Sequence, residues 1–218
     1  MTTFSNDVDI LKCEPGLFGE LHWPSQVRAS GTGAMLNDTT LTASEADFVA
    51  AEVEAGGVIY LRSADGSLEG AYEIVSVDSP TELTVSVVRA DAADPVVAPP
   101  AAADISYRVS TFEPQAVDAA FQLTEYFGIR PGDPTSEIGV ENLLDTEGLR
   151  RASVLKVISA VYEAWSSPAD GESVRRKSLL YQQLFEKARQ RCHVTVDLGA
   201  DGVADVTHVG GTIRLVRV

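Results

Sequence analysis

The hydrophobic pattern of the chain changes from a strand period to a helix period near residue 111, and this change constrains the fold more than any other feature. Between residues 58 and 111, short runs rich in β-branched and aromatic residues alternate with polar turns such as Ala-Asp-Gly-Ser at 64–67, which is typical of antiparallel strands. After Pro114 the apolar residues recur every three or four positions, as they do on one face of a helix. The sequence therefore predicts a β-rich first half, with a small antiparallel barrel or curled sheet at about 38–110, and a helical second half.

The second half is predicted to contain three amphipathic helices, at 114–127, 145–166 and 170–191. The middle helix has the clearest spacing, with apolar side chains recurring from Leu155 to Trp165. Gly128 followed by Ile129 predicts a Schellman ending for the first helix, because glycine adopts the left-handed conformation and the isoleucine folds back. Three such helices are enough to close one small core.

Four segments follow from these patterns: an extended N-terminal segment at 1–37, a small β-rich module at 38–110 with a Pro/Ala-rich loop at 90–104, a helical bundle domain at 111–191, and C-terminal strands at 192–218. The first segment is treated as extended because it has no sustained period of 2 or 3.6. The last one contains two or three short strands joined by glycine turns, which we treat as a strand pair. The expected fold class is α+β, a three-helix bundle with an inserted small antiparallel β module and a short C-terminal strand pair.

Charge is high and unevenly distributed. The 17 Lys and Arg residues face 32 Asp and Glu residues, a formal net charge of −15, so the whole molecule is repelled by nucleic acid and by anionic membranes. Residues 1–110 hold 5 basic and 17 acidic side chains, whereas residues 150–191 hold nine basic and four acidic ones. The sequence thus predicts an acidic β half beside a basic pair of helices.

Other features predict a soluble protein that is not exported. No run approaches the roughly 18 uncharged apolar residues of a membrane span, and the first residues do not resemble a signal segment. Cys13 and Cys192 lie near opposite ends of the sequence, which argues against a disulfide scaffold. We expect both thiols to be reduced.

Catalytic motifs are missing from the sequence. It contains no nucleophile elbow, no Walker loop and no dinucleotide-binding glycine pattern. Cys192 and His193 are neighbours in a predicted strand, so their side chains point to opposite faces and do not suit proton transfer. We predict no enzymatic activity and no cofactor; a hydrolase that uses His193 or His208 is the alternative.

The segment from Asp197 to Asp205 partly matches a calcium-binding loop, in which alternate carboxylates converge on one ion. Gly199 stands where the third loop position needs a ligand, and His208 stands where the twelfth needs a glutamate. An Asp-Gly hairpin turn is therefore the favoured interpretation, weak calcium binding is the alternative, and no metal site is predicted.

Five basic residues of the helical half are the candidate contact residues: Arg150, Arg151, Arg175, Arg176 and Lys177. Because the β half is strongly acidic, one chain carries two surfaces of opposite sign, which favours packing between copies or docking on an acidic partner. A solvated helix face and a nucleic-acid-binding surface are the alternatives.

The order of these parts resembles proteins of tailed bacteriophages. Small β modules of phage virion proteins are similar to the stretches TLTASEADFVAAEVEAGGVIYLRS and GAYEIVSVDSPTELTVSV. The helical bundle and short C-terminal strands of phage head-to-tail connector proteins, also called adaptor or head completion proteins, resemble ISYRVSTFEPQAVDAAFQLTEYFGI, LLDTEGLRRASVLKVISAVYEAWSS and RRKSLLYQQLFEKARQRCHVTVDLGADGVADV. The resemblance covers most of residues 38–215. It rests on the general residue pattern and on the order of the predicted helices and strands.

That resemblance implies a structural virion protein, located in the neck and assembled in the host cytoplasm. Such proteins form a ring, typically dodecameric, that joins the portal vertex to the tail and passes the DNA through its centre without specific recognition. The implied partners are the portal protein, other neck or tail proteins and further copies of the chain, with no membrane. A stopper or tail-completion neck protein and a DNA-binding accessory protein are the alternative functions.

Overall fold

The computed structural model describes residues 2–129, 138–166, 171–199, 201–209 and 212–215. Contacts divide the chain into two compact units. The first, Asn6–Phe112, is called the barrel unit; the second, called the helical unit, combines Met1–Ser5 with Glu113–Val218. The barrel unit is therefore an insertion in the sequence of the helical unit.

The barrel unit begins with two short helices, α1 (Asp7–Cys13) and α2 (Leu17–Glu20). Asn6 caps α1, because its side-chain oxygen accepts a hydrogen bond from the Asp9 amide at 2.9 Å while the Asp9 carboxylate accepts one from the Asn6 amide at 3.2 Å. This reciprocal pair satisfies two amide groups that a helix start otherwise leaves without partners.

Six antiparallel strands then close a barrel: β1 (Val27–Asn37), β2 (Thr40–Thr42), β3 (Val58–Ser63), β4 (Glu69–Ser79), β5 (Glu82–Ser86) and β6 (Ala102–Ser110). Their order around the barrel is β1-β2-β5-β4-β3-β6, so β1 pairs with both β2 and β6. Full closure leaves no unpaired sheet edge.

The barrel interior is filled by apolar side chains from every strand. Leu41, Ile59 and Leu83 have no exposed surface. Phe48, from the connection after β2, is also fully buried and packs edge-on against Tyr107, with ring centroids 5.7 Å apart. The barrel unit thus has a core of its own.

The helical unit contains three long helices and a small sheet: α3 (Glu113–Tyr126), α4 (Glu147–Trp165), α5 (Gly171–Arg189), β7 (His193–Val196), β8 (Val206–Val209) and β9 (Thr212–Leu215). The sheet is antiparallel with the order β7-β8-β9. The three predicted helices are confirmed, and each begins and ends within two residues of its predicted bounds. Residues 167–170, between α4 and α5, lie outside the described residues.

The Schellman ending of α3 is also confirmed. The Ile129 amide donates to the Thr124 carbonyl at 2.9 Å and the Gly128 amide donates to the Glu125 carbonyl at 3.0 Å. Gly128 has a φ of +78°, the left-handed conformation that this ending requires.

The core of the helical unit surrounds α4, which is buried on most of its circumference. Leu149 and Ala152 are fully buried on α4 and pack in one cluster with Leu123 of α3, which is also fully buried. Phe4 joins this core, and the hydroxyl of Ser5 hydrogen-bonds that of Ser153 at 2.8 Å. The chain therefore starts in the helical unit before it enters the barrel.

The predicted fold class, a three-helix bundle with a small β module and a strand pair, is wrong. The β part is a closed six-stranded barrel in a unit as long as the helical one, and the C-terminal sheet has three strands. The segment 1–37, expected to be extended, contains α1, α2 and β1, and β6 already begins inside the 90–104 loop.

Strand β1 could not be predicted from the sequence because its pairing is irregular. Its register with β6 shifts three times between Val27 and Leu36, so inward and outward side chains do not alternate with period 2. Gly31 lies under Tyr107, where a Cβ atom would stand 2.7 Å from the phenol oxygen. Glycine is needed there for close approach, and it removes the apolar signal that would have identified a strand.

Candidate assembly interface

The five predicted contact residues form two groups at opposite ends of one helix pair. Helices α4 and α5 are antiparallel: the Ser159 hydroxyl donates to the Ser178 carbonyl at 3.2 Å, and the Cys192 thiol lies 3.3 Å from the Gly148 carbonyl. Arg176 therefore lies level with the later part of α4, about 17 Å along the axis from Arg150, at about 1.5 Å per residue.

The α4 group consists of Arg150 and Arg151, both exposed. Arg150 forms an ion pair with Glu147 one turn earlier. Such an exposed pair contributes little stability, and both side chains of this group lie at the protein surface.

The α5 group is more varied. Arg176 donates two hydrogen bonds to the Glu172 carboxylate, at 3.1 and 2.6 Å, and Arg175 is exposed. Lys177 donates to the Tyr162 hydroxyl at 2.9 Å and lies 5.0 Å from the centre of that ring. Lys177 therefore fastens α5 to α4, whereas Arg175 and Arg176 present their charge to solvent.

Two other cations of the helix pair also have structural contacts. The Arg189 guanidinium lies 4.2 Å from the centre of the Tyr126 ring and forms an ion pair with Glu186. The Lys156 ammonium lies 5.7 Å from the centre of the Phe185 ring. These residues pack the helices together. The number of Lys and Arg residues in 150–191 is therefore larger than the number whose charge a partner could contact.

A feature that the sequence analysis missed is the exposed apolar surface of α5. Leu179, Leu180 and Leu184 are 54%, 52% and 37% exposed. Leu180 and Leu184 lie one turn apart, Leu179 directly precedes Leu180, and all three lie outside the buried stripe, of which Ser178 and Phe185 are part. The available signal was that these leucines do not fit the stripe that packs on α4.

Basic side chains border these leucines. Arg175 and Arg176 precede Leu179 and Leu180 by one turn, and Lys187 follows Leu184 by three residues, so each cation is the neighbour of one leucine on the helix surface. Lys187 is exposed. We call the six residues Arg175, Arg176, Leu179, Leu180, Leu184 and Lys187 the leucine face.

The barrel unit presents the opposite charge. It holds 17 acidic residues and five basic ones, and the basic ones have partners within the unit: Arg28 with Glu52, Arg62 with Glu69, Arg89 with Glu73, Lys12 with the Ala90 carbonyl and Arg108 with the Phe18 carbonyl. Its exposed charge is therefore strongly negative.

One loop of the barrel unit exposes both valines and aspartates. Val87, Val96 and Val97 are 42%, 39% and 53% exposed, and Asp91 and Asp94 between them are exposed. We call residues 87–97 the valine loop. It combines apolar side chains with negative charge, as the leucine face combines them with positive charge.

The valine loop is held in shape by a buried ion pair. The Arg89 guanidinium meets the Glu73 carboxylate at 2.7 Å, with both side chains less than a tenth exposed, and this hydrogen bond raises the pKa of Arg89. Arg89 also donates to the carbonyls of Ala92 and Asp94 at 2.7 and 2.9 Å. The loop is therefore pre-organised on the barrel.

The residues of the alternative hydrolase site are not brought together. Val194 pairs with His208 across β7 and β8, and His193 pairs with Val209, so the two histidines lie on opposite faces of the sheet. Burial raises the pKa of the Cys192 thiol, which contacts the Ala188 and Gly148 carbonyls. This thiol is placed as a core side chain.

The carboxylates of the 197–205 loop hold the turn itself. Asp197 accepts hydrogen bonds from the amides of Asp201 and Gly202, and Asp205 accepts them from the amides of Leu198 and Gly199, at 2.6 to 3.3 Å. Within the described ranges, no group of three metal-ligating side chains is assembled. Nor does any helix of the described ranges have the length and apolarity of a membrane span.

No protein-family model, curated protein or solved structure matches this chain. Its function is therefore inferred from its own surfaces and from the resemblance in its sequence.

Proposed function

We propose that this protein is a structural component of the neck of a tailed bacteriophage. It forms a ring that joins the portal vertex of the capsid to the tail and lets the DNA pass through the centre. In this role the chain has no catalytic task, and its partners are the portal protein, other neck or tail proteins and neighbouring copies of itself.

The observation that carries the proposal is the pair of unlike surfaces on one chain. The barrel unit is acidic, and the helix pair exposes basic residues around three leucines. Opposite charge favours contact between copies and suppresses contact between like surfaces. When two different patches of the same chain mate, each copy has one patch left for the next, so association produces a ring if the rotation closes.

The net charge of −15 also suits a conduit for DNA. Phosphates are repelled by an acidic wall, so the genome does not adhere to it during passage. Binding of the DNA backbone needs clustered Lys and Arg, and two basic residues of the helix pair, Lys177 and Arg189, are occupied by aromatic or acidic neighbours. The charge distribution therefore favours the neck function over the DNA-binding alternative.

Native mass spectrometry of the purified protein mixed with the portal protein of the same phage tests the proposal. We expect many copies to add to each portal ring in a fixed stoichiometry. If the chain does not bind the portal protein, the adaptor role is contradicted. Binding to other neck proteins would then indicate the stopper or tail-completion role. Salt-sensitive binding to duplex DNA would indicate the DNA-binding accessory role.

Charge reversal tests the predicted contact residues, and the structure allows the two groups to be tested separately. We expect Arg175→Glu combined with Arg176→Glu to block assembly with the portal while the monomer stays folded, because both side chains are exposed and the Arg176–Glu172 pair is a surface pair. Arg150→Glu with Arg151→Glu is the matched variant at the other end of the helix pair. Normal particle formation by both double variants would contradict the assignment.

A further inference from the structure

The leucine face and the valine loop are surfaces of opposite charge and similar apolar content on the same chain. The leucine face has three exposed leucines bordered by Arg175, Arg176 and Lys187; the valine loop has three exposed valines with two aspartates between them. Exposed apolar side chains bordered by charge are typical of protein interaction sites. Each surface has the chemistry that the other would bind.

We propose that the valine loop of one copy docks on the leucine face of a second copy. The valines then cover the leucines, and Asp91 and Asp94 approach the cations at the border. This inference rests on the proposed neck function, since the ring is what brings copies side by side, and it names the surfaces through which neighbours mate.

Apolar burial supplies the affinity of this contact. Leu179, Leu180 and Leu184 lie within two turns of α5 and are 54%, 52% and 37% exposed. Covering them removes apolar area from water on both partners. The surrounding charges select the orientation and discourage two leucine faces from meeting, since like charges repel.

Pre-organisation of the loop lowers the cost of docking. The Val87 amide donates to the Val97 carbonyl at 2.9 Å, and the Val97 amide donates to the Ser86 hydroxyl at 2.9 Å. Together with the buried Arg89–Glu73 pair, these bonds fix the base and the middle of the loop. Little conformational entropy is therefore lost on binding.

The contact is heterologous, because the two mating surfaces differ. A copy whose loop is occupied still has its leucine face free for the next copy. Such an arrangement makes a prediction that a symmetric contact does not: two chains damaged on different surfaces complement each other when mixed.

The test uses the full chain and two double variants. Leu180→Glu with Leu184→Glu damages the leucine face, and Val96→Glu with Val97→Glu damages the valine loop; all four positions are exposed, so we expect both variants to fold. Met35→Glu, at a barrel position that is 57% exposed, is the control for an added charge. Self-association is measured by sedimentation velocity and native mass spectrometry over a concentration series.

We expect wild type and the control to self-associate alike, and each double variant alone to weaken association at least about tenfold. A one-to-one mixture of the two double variants should recover heterodimers with the wild-type dissociation constant, but nothing longer, because only one intact loop meets one intact face. Circular dichroism confirms that each variant is folded.

The inference is overturned if the wild-type chain stays monomeric, if either double variant associates normally, or if the mixture shows no complementation. Portal binding by the wild-type chain is measured separately. If the chain binds the portal protein but fails these tests, the proposed interface is wrong and the neck function stands. If the double variants complement each other but the chain does not bind the portal protein, the neck function is wrong.

Discussion

The barrel unit and the helical unit bury their apolar side chains in different ways. In the barrel, strands close around an interior in which Ile59 and Leu83 have no exposed surface. In the helical unit, α4 is buried around most of its circumference, whereas α5 covers it with one face and leaves Leu179 and Leu180 about half exposed. The comparison teaches that strands which close into a barrel bury their inward side chains without a further layer, whereas a helix that packs with one face leaves the apolar residues of its other face exposed.

Each unit also carries its own tryptophan, which makes the comparison measurable. Trp23 belongs to the barrel unit and Trp165 to the helical unit. Trp165→Phe leaves a chain whose fluorescence reports on the barrel unit, and Trp23→Phe leaves one that reports on the helical unit.

The largest effect is expected from Phe48→Ala, which removes a fully buried ring from the barrel core. The cavity should lower the free energy of unfolding of the barrel unit by about 4 kcal/mol. Denaturant unfolding followed by Trp23 should show the shift, and unfolding followed by Trp165 should show a much smaller one. Val49→Ala, next in the chain and 59% exposed, is the control. Equal shifts at both tryptophans would contradict two separate cores.

Glu73→Gln should be nearly as damaging, because it leaves the buried Arg89 charge without its partner. We expect a loss of about 3 kcal/mol from the barrel unit, together with faster hydrogen exchange in residues 87–97. Glu52→Gln is the matched control, since its ion pair with Arg28 is 3.3 Å long and the carboxylate is 82% exposed. Equal losses from the two variants would show that the burial of the first pair has no effect.

Gly128→Ala should have a smaller effect that is confined to the helical unit. An added Cβ atom would meet nothing within 4 Å, but the φ of +78° is strained for any residue with a side chain. We expect a cost of about 1 kcal/mol, seen in the unfolding curve followed by Trp165. The opposite sign would mean that the Schellman ending does not form in solution.

The smallest effect concerns the turn between β3 and β4. Hydrogen bonds from the Ser63 hydroxyl and from the Ser67 hydroxyl and amide lower the pKa of Asp65 to about 2, from an ordinary value of 3.8. Because the folded value is the lower one, the turn is stabilised above pH 4, and this contribution is lost as the pH falls through about 2.

An NMR titration of the Asp65 carboxyl group measures this directly. Ser67→Ala removes one of the hydroxyl donors and should raise the Asp65 pKa, with little change elsewhere because Ser67 is exposed. A midpoint near 4 in the wild-type protein would contradict the described turn.

The helices of this protein could be predicted from sequence, and so could a small antiparallel barrel or curled sheet at about 38–110, but strand β1, which closes the barrel between β2 and β6, could not. Helices α3 to α5 repeat apolar residues every three or four positions, and β3 to β5 are short runs of β-branched residues between turns. Strand β1 has glycines where the barrel needs close approach and shifts its register three times, so no periodicity marks it. Residues 2–5 belong to the helical unit through packing that sequence does not encode locally.

The candidate interface was predictable only in part. The excess of Lys and Arg in 150–191 indicated the helix pair. Sequence does not reveal, however, that the charged groups of Lys177 and Arg189 pack against aromatic rings of the same unit. Nor does it reveal that Arg150 and Arg176 lie far apart along an antiparallel pair. The exposed leucines of α5 depend on which face packs on α4, which is a property of the tertiary structure.

Electron cryomicroscopy of the portal protein mixed with this chain tests the central claim most directly. We predict an additional ring of density, coaxial with the portal and open along the axis, in which the barrel unit of each copy meets the helix pair of the next. Bare portal particles, or single copies attached without a ring, would contradict the claim.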